Sequence, residues 1–427
     1  MKGHVRKRAA SWSYVIDLGN QRAQRCSECG SRYWIEKRPI EACLKCGGAL
    51  LERTERRQRE KSGFRTKADA DRDMRAVLTT LDKGTYIEPA KLTVRDYLMD
   101  EWLPGITDLK PSTLLGYKVH VETHLVPELG MHRLQKLTAS QINAAYARLL
   151  LKPKPFAKDV VEDGKPTIPA ATLSPTTVRH IHVTLHRALR DAMKNGLISR
   201  NPADAASPPR TSTTKEDMKT WSADEVRAFL MGTRATRLYP LWVLLLNTGM
   251  RRGEALGLRW SDLDLEAGRM SIVQNRVAVG YEVHIGSPKT KRSRRNLPLN
   301  PGTVAALKEF HQKQHEEQLL WKQAGYTDTG LVFVQENGQP FHPDRISKMF
   351  DAAVAKSKQP RIRLHDLRHT YATQSLAAGV QAKTVSDLMG HANIGITIDT
   401  YSHAIPALED AAATAVGDLF MPVLKAL

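Results

Sequence analysis

Cysteine is nearly absent from this chain of 427 residues: four occur, all within the 21 residues from Cys26 to Cys46. That excludes a disulfide framework distributed through the fold. Long apolar runs are missing too. LWVLLLNTG, at 241–249, is far shorter than the roughly 20 residues a membrane-spanning helix needs. The basic start MKGHVRKRAA leads into no apolar signal core, so a cytoplasmic protein is expected, with no membrane partner. Acidic charge is scarce: 45 Asp and Glu face 64 Lys and Arg, giving +19 at pH 7. No internal repeat is evident, and the length suggests two or three domains.

The excess charge is concentrated. Residues 1–67 carry 17 basic and 7 acidic side chains, so +10 of the +19 lies there. Such a density of positive charge points to a polyanion, and nucleic acid is the partner favoured. The four cysteines form two pairs, CSECG (Cys26 and Cys29) and CLKCG (Cys43 and Cys46), with 13 residues between them. Each pair ends in glycine, which suits a tight turn presenting two thiolates to one metal. The pattern predicts a structural four-cysteine zinc site with no open position for catalysis, although the gap is slightly short of the common ribbon spacing.

The expected fold class is α+β, mainly α. Residues 10–18 alternate like a strand, and RRQREKSGF reads as a basic strand ending in a turn at Gly63. An amphipathic helix is expected from about Lys67 to Leu81, which would complete a small sheet-plus-helix unit with the cysteine module inserted. A helical domain follows, with Thr138 and Gln141 in capping-box positions, a loop over 152–171, and a helix opened by Ser174 and Pro175 and stopped at Gly196. A Pro-, Ser- and Thr-rich linker then leads to Trp221, with Ser222 as the next helix cap. The last domain mixes helices with a small antiparallel sheet. The domain bounds read 1–90, 91–205, linker 206–220, 221–404 and a C-terminal helix 405–427.

Within the last domain, TGMRRGEALGLRW sets Arg251 at a helix start, and SPKTKRSRRNLPL reads as a basic hairpin with Lys289 at its turn and Arg292, Arg294 and Arg295 beyond. LHDLRHTYAT spaces His365 and Arg368 three apart, on one helix face. GHANIGITIDTYSHA brings His391, Tyr401 and His403. Taken singly, each has a plainer reading as surface charge, solvated turn or core aromatic. Together they supply metal-free phosphoryl transfer: guanidinium groups bind phosphate oxygens, histidines donate hydrogen bonds or move protons, a lysine protonates a leaving oxygen, and a tyrosine oxygen attacks phosphorus.

These motifs resemble the arginine box, the His-x-x-Arg box and the closing His and nucleophile box of the tyrosine recombinases, specifically the phage-type integrases. The resemblance is strong over about Trp221 to His403 and weaker over the helical domain. The N-terminal unit resembles an arm-binding domain, from which it departs by the inserted cysteine module. The resemblance implies a site-specific recombinase that cuts and rejoins DNA without ATP through a 3′-phosphotyrosine, integrating or excising a mobile element such as a prophage. It makes Tyr401 the nucleophile, Arg251 and Arg368 the phosphate clamp, and Lys289 the general acid, with Lys291 as its rival. His365 would accept the tyrosine proton or bond the phosphate, His391 would add a hydrogen bond, and Glu254 would orient the arginines.

The resemblance also implies double-stranded DNA with core and arm sites, a homotetramer passing through a Holliday junction, and a C-terminal helix docking in trans or packing in its own domain. It allows for an excision factor and a host DNA-bending protein, at the nucleoid of a bacterial host. Two other readings stay open: a type IB topoisomerase-like strand transferase, and a non-catalytic DNA-binding regulator. A tyrosine with pKa near 10 is ionised in only about one molecule per thousand at pH 7, and two nearby arginines are expected to favour its phenolate.

Overall fold

The computed structural model describes residues 3–8, 10–35, 39–83, 86–153, 160–162, 165–168, 172–211, 218–286, 294–391, 393–401, 414 and 416–417. The chain is mainly helical with small antiparallel sheets and divides into two compact units, Met1–Thr107 with Tyr117–Thr211, and Asp108–Gly116 with Ser212–Leu427. Among the described residues no helix is long and apolar enough to cross a membrane.

The first unit opens with strands β1 (Gly3–Arg8), β2 (Ser11–Cys26), β3 (Arg32–Trp34) and β4 (Leu50–Phe64), followed by helix α1 (Lys67–Asp82). β2 is the central strand: β1 and β4 pair with it in antiparallel fashion, and β3 joins near its end. α1 begins at Thr66, whose side chain accepts the Asp69 N–H, and it packs Met74 against Tyr14 and Ile16. The turn expected at Gly63 is instead a bulge inside β4. Trp12 faces Phe64 while Ser13 faces Ser62, so pairing with β2 carries the strand past the glycine. β2 also runs on to Cys26, well beyond the alternating stretch at 10–18.

The next helices along the chain are α2 (Val94–Asp96), which widens into a π-helical segment Tyr97–Trp102, then α3 (Pro111–Val119), a second π-helical segment His120–Leu125, α4 (Val126–Leu129), α5 (Ala139–Leu151) and α6 (Pro175–Lys194). Thr93 with Asp96 and Thr138 with Gln141 form complete capping boxes, and Ser174 accepts the Thr177 N–H at the head of α6. Val121, Leu125, Ile142, Tyr146, Ile181 and Leu185 belong to one buried core. Part of the 152–171 stretch, expected to be a loop, forms two short antiparallel strands, β5 (Val160–Glu162) and β6 (Lys165–Ile168).

The second unit holds α7 (Ala223–Thr233), α8 (Tyr239–Thr248), α9 (Arg252–Gly257), strands β7 (Leu263–Asp264), β8 (Arg269–Ile272), β9 (Asn275–Val279), β10 (Glu282–Gly286) and β11 (Arg295–Pro298), then α10 (Pro301–Trp321), α11 (Pro343–Ser357), α12 (Asp366–Ala377), α13 (Ala382–Met389) and α14 (Ile394–Tyr401). Trp221, Phe229, Trp242 and Phe350 meet ring to ring in its core. The Trp221 indole donates to the Pro360 carbonyl, which ties the start of the unit to the segment before α12. The sequence predicts a hairpin across the basic stretch after β10, yet among the described residues its flanking strands are not partners. β10 pairs with β9, and β11 pairs with β8. Lys289, Lys291, Arg292, His403 and nearly all of 405–427 lie outside the described residues.

Candidate active site and metal site

Arg251 stands at the N-cap of α9, so its backbone N–H has no partner within the helix; Glu254 accepts it at 2.9 Å and takes the Arg251 guanidinium at 2.9 Å with its other oxygen. The same carboxylate pairs with Arg295 of β11 at 3.0 Å. Both partners of this pair are buried, with side chains 7% and 3% exposed. Burial alone would push Glu254 up, but the Arg295 and Arg251 charges override it and hold the carboxyl below its usual range. The Arg251 side chain stays 40% exposed, so its guanidinium is anchored at one edge and open at the other.

Arg368, on α12, is buried. It donates to the Gly249 carbonyl at 2.6 Å and to the Met389 carbonyl at 2.8 Å, which fixes the guanidinium plane between the ends of α8 and α13. Gly249 must be glycine: φ is +59°, and a Cβ would stand 2.3 Å from the Tyr371 ring. Burial and the Arg251 charge push Arg368 down to about 9, which leaves it a cation at neutral pH. Two cations fixed at close quarters form a site that an anion completes.

His391 follows Gly390, whose φ of +66° ends α13 and whose missing Cβ leaves room for Arg295. The His391 ring bonds the Thr397 hydroxyl at 2.7 Å, and burial with the charges of Arg368, Arg251 and Arg295 pushes it down to about 4. His365, the N-cap of α12, opens to solvent on one side. Burial of its packed side, with His369 and Arg368 beside it, pushes it down to about 4. Both rings are therefore neutral near pH 7 and act as hydrogen-bonding groups rather than as charges.

Tyr401 ends α14 and is 1% exposed, its ring packed with Ala372, Leu376, Val385 and Met389. Its hydroxyl meets Nδ1 of His369 at 2.8 Å. The expectation that nearby arginines favour the phenolate is reversed. Burial outweighs the Arg368 charge and raises Tyr401 to about 12. The fold thus brings Arg251, Glu254, Arg368, His391 and Tyr401 into one neighbourhood with His365, while Lys289 lies outside the described residues. Three participants went unassigned in the sequence: Arg295, His369 and Thr397. His369 carried a signal, because it stands one helical turn after His365.

In the first unit the sulfurs of Cys26, Cys29, Cys43 and Cys46 lie within 4.8 Å of one another, at the far end of the β2–β4 ribbon. Cys26 and Cys46 approach to 3.4 Å, and Cys29 and Cys43 to 3.5 Å. A disulfide needs about 2.05 Å. Sulfurs bound tetrahedrally to zinc at about 2.3 Å would stand about 3.8 Å apart, so the donor set fits that ion. The two pairs turn alike: the Gly30 N–H bonds the Cys26 carbonyl and the Gly47 N–H the Cys43 carbonyl. The Tyr33 hydroxyl pushes the Cys43 thiol down to about 6. Cys46, although the Gly48 N–H supports its thiolate, is pushed up to about 12 by the Cys26 and Cys29 sulfurs. Four sulfurs gathered this closely suit a shared cation.

Residues 219–407 match the phage integrase family, and residues 95–150 match the N-terminal SAM-like domain of phage integrases. A tyrosine recombinase XerC-like protein of Caldanaerobacter subterraneus is 28% identical over 375 residues, covering 84% of this chain and 91% of the relative. The ICEBs1 integrase of Bacillus subtilis is 25% identical, covering 73% of this chain and 79% of its own length. The fold is that of the Tn1549 transposon integrase solved with a circular intermediate DNA, with a TM-score of 0.60 at 22% identity over 77% of this chain and 99% of that one. The chain belongs to the phage integrase family and is a tyrosine recombinase, an enzyme of site-specific DNA recombination that serves the integration of mobile elements.

Proposed function

We propose that recombination by this chain proceeds through Tyr401. Its oxygen attacks a scissile phosphate of duplex DNA, the bond to the 5′ oxygen breaks, and a 3′-phosphotyrosyl link is left beside a free 5′ hydroxyl. Attack by the 5′ hydroxyl of another strand reverses the chemistry and joins the new pair. The phosphodiester energy stays in the covalent link, so neither ATP nor a catalytic metal is called for. Arg251 and Arg368 bind the non-bridging oxygens and His391 adds a neutral donor. His365 bonds the phosphate, Lys289 protonates the leaving oxygen, and Glu254 orients Arg251.

The observation that carries this reading is the nearness of Tyr401 to a buried arginine, Arg368, which is itself held by two main-chain carbonyls beside Arg251. Guanidiniums fixed in this way lose little by reorganising when charge builds on phosphorus. The test is a nicked suicide substrate made from the element's own attachment site. Wild type accumulates a covalent protein–DNA adduct and Tyr401→Phe, though it binds the site, forms none. A bound site without adduct in wild type, or an adduct that persists in Tyr401→Phe, overturns the assignment.

The same proposal extends to organisation. Exchange of two duplexes requires four cuts, hence four tyrosines, which supports a homotetramer on paired sites and a Holliday junction between the two rounds of exchange. Residues 1–90 would bind arm sites and 91–205 core sites, with a linker at 206–220, catalysis in 221–404 and the 405–427 segment reaching a neighbouring protomer. Cys26, Cys29, Cys43 and Cys46 would hold one structural zinc ion. An excision factor and a host DNA-bending protein would set direction, on DNA in a bacterial cytoplasm.

A further inference from the structure

The Tyr401 hydroxyl already has a partner, and it is not the histidine of the His-x-x-Arg box. Nδ1 of His369 lies 2.8 Å from it, with the ring centroids 5.7 Å apart and the planes inclined by 54°. His365 instead meets His369 edge to face, with centroids 5.1 Å apart. Tyr401 is 1% exposed, so water is a poor acceptor for its proton. A phenol in that position needs a base within hydrogen-bond reach, and His369 is in contact with the reacting oxygen.

We propose that His369 holds the Tyr401 hydroxyl and takes its proton as the oxygen attacks phosphorus. This rests on Tyr401 being the nucleophile. The tautomer that fits carries the proton of neutral His369 on Nε2 and leaves the Nδ1 lone pair for the hydroxyl. As the Oη–P bond forms, the O–H proton passes to Nδ1 and its electron pair stays on oxygen. His369 becomes an imidazolium. The P–O5′ bond breaks with its pair on O5′, which takes a proton from the general acid, assigned above to Lys289. On resealing, the proton returns from Nδ1 to Oη as the tyrosine leaves.

The surroundings suit a base that must start neutral and become charged briefly. The groups that face His369 are Asp366 and Arg368 on its own helix, His365 and Arg363 just before that helix, His391 after α13, and Tyr401 from α14. Burial, with Arg368 and Arg363, lowers its pKa and keeps it uncharged at neutral pH. Asp366 opposes them and favours the imidazolium. The Asp366 carboxylate is buried and held by Arg363 at 2.8 Å, so this negative charge stays in place one turn from the ring.

The experiment is single-turnover cleavage of the suicide substrate from pH 6 to pH 10, at saturating enzyme, with wild type, His369→Asn, His369→Gln, His369→Ala and Tyr401→Phe. An Asn or Gln side chain can still accept the hydroxyl hydrogen bond but cannot carry the proton away. At neutral pH the Asn and Gln variants should bind the site like wild type and cleave about 10²- to 10⁴-fold more slowly. Their rates should climb about tenfold per pH unit where wild type is flat, because hydroxide then replaces the base. Added imidazole should restore part of the His369→Ala rate. Cleavage by His369→Asn or His369→Gln within threefold of wild type across the pH range overturns the proposal. So does a slow His369→Ala that imidazole leaves unchanged while either amide variant is fully active, since that pattern describes positioning alone. An adduct formed by Tyr401→Phe would instead overturn the nucleophile assignment on which this rests.

Discussion

Glu254 is the residue that holds Arg251 and Arg295 together. One buried carboxylate answers Arg251 at the start of α9 and Arg295 on β11, and the Arg295 Nε reaches the Leu388 carbonyl at 2.6 Å, three residues before His391. Removing that charge strands a buried guanidinium, and breaking such a pair costs about 3–5 kcal/mol. Glu254→Gln should therefore loosen the site. Hydrogen exchange read by mass spectrometry in the full chain should show amide protection in α9 and β11 falling by about two powers of ten or more. Unchanged protection would mean that the pair contributes little. The pH sign follows from the depressed carboxyl: this contribution is complete above the unfolded-state pKa of about 4.3 and is lost as pH falls through the lower folded value.

At the scale of elements, the cysteine module belongs to the β2–β4 ribbon. The ribbon was only partly legible in the sequence. Alternation at 10–18 marks the first half of β2, but farther along polar residues occupy both faces, and Gly63 mimics a strand end. Pairing with β2 is what keeps both strands extended, and pairing is a long-range effect that local propensity does not carry. The metal proposal makes an element-scale prediction. The purified chain should carry one zinc per polypeptide by elemental analysis, and Cys43→Ser or a strong chelator should release it. Loss of metal should expose the amides of 26–50 to exchange while α12 keeps its protection. Absence of zinc after anaerobic, chelator-free purification would remove the metal assignment.

For the whole molecule, charge is the governing quantity. Many basic side chains of the N-terminal sheet are paired with acids on the same unit: Arg22 with Glu52, Arg32 with Glu55, Arg6 with Glu60 and Lys61 with Asp73. Such exposed pairs stabilise weakly and exchange readily for other anions. The net +10 within residues 1–67 survives this pairing, because charge balance is a property of composition. Duplex binding should therefore be strongly salt-dependent. Fluorescence anisotropy should give a slope of log K against log salt of about −0.9 per phosphate contacted, so six or more contacts cost about 10³ in affinity between about 50 and 200 mM salt. A flat salt dependence would contradict a binding surface built on this charge.

The sequence by itself determined what is local. The caps at Thr138, Ser174 and Ser222 form where they were read, because a cap involves residues three apart and little else. Cysteine spacing and the arginine, His-x-x-Arg and tyrosine boxes were legible for the same reason, since their order is written into the covalent chain. Only the tertiary structure decided which histidine meets Tyr401, that Arg295 shares Glu254, and that the pKa of Tyr401 rises rather than falls. Those outcomes depend on how α9, β11, α12 and α14 pack. His369 and Tyr401 are 32 residues apart, and their contact, like the burial that outweighs the arginine charge, exists only once the helices have closed around them.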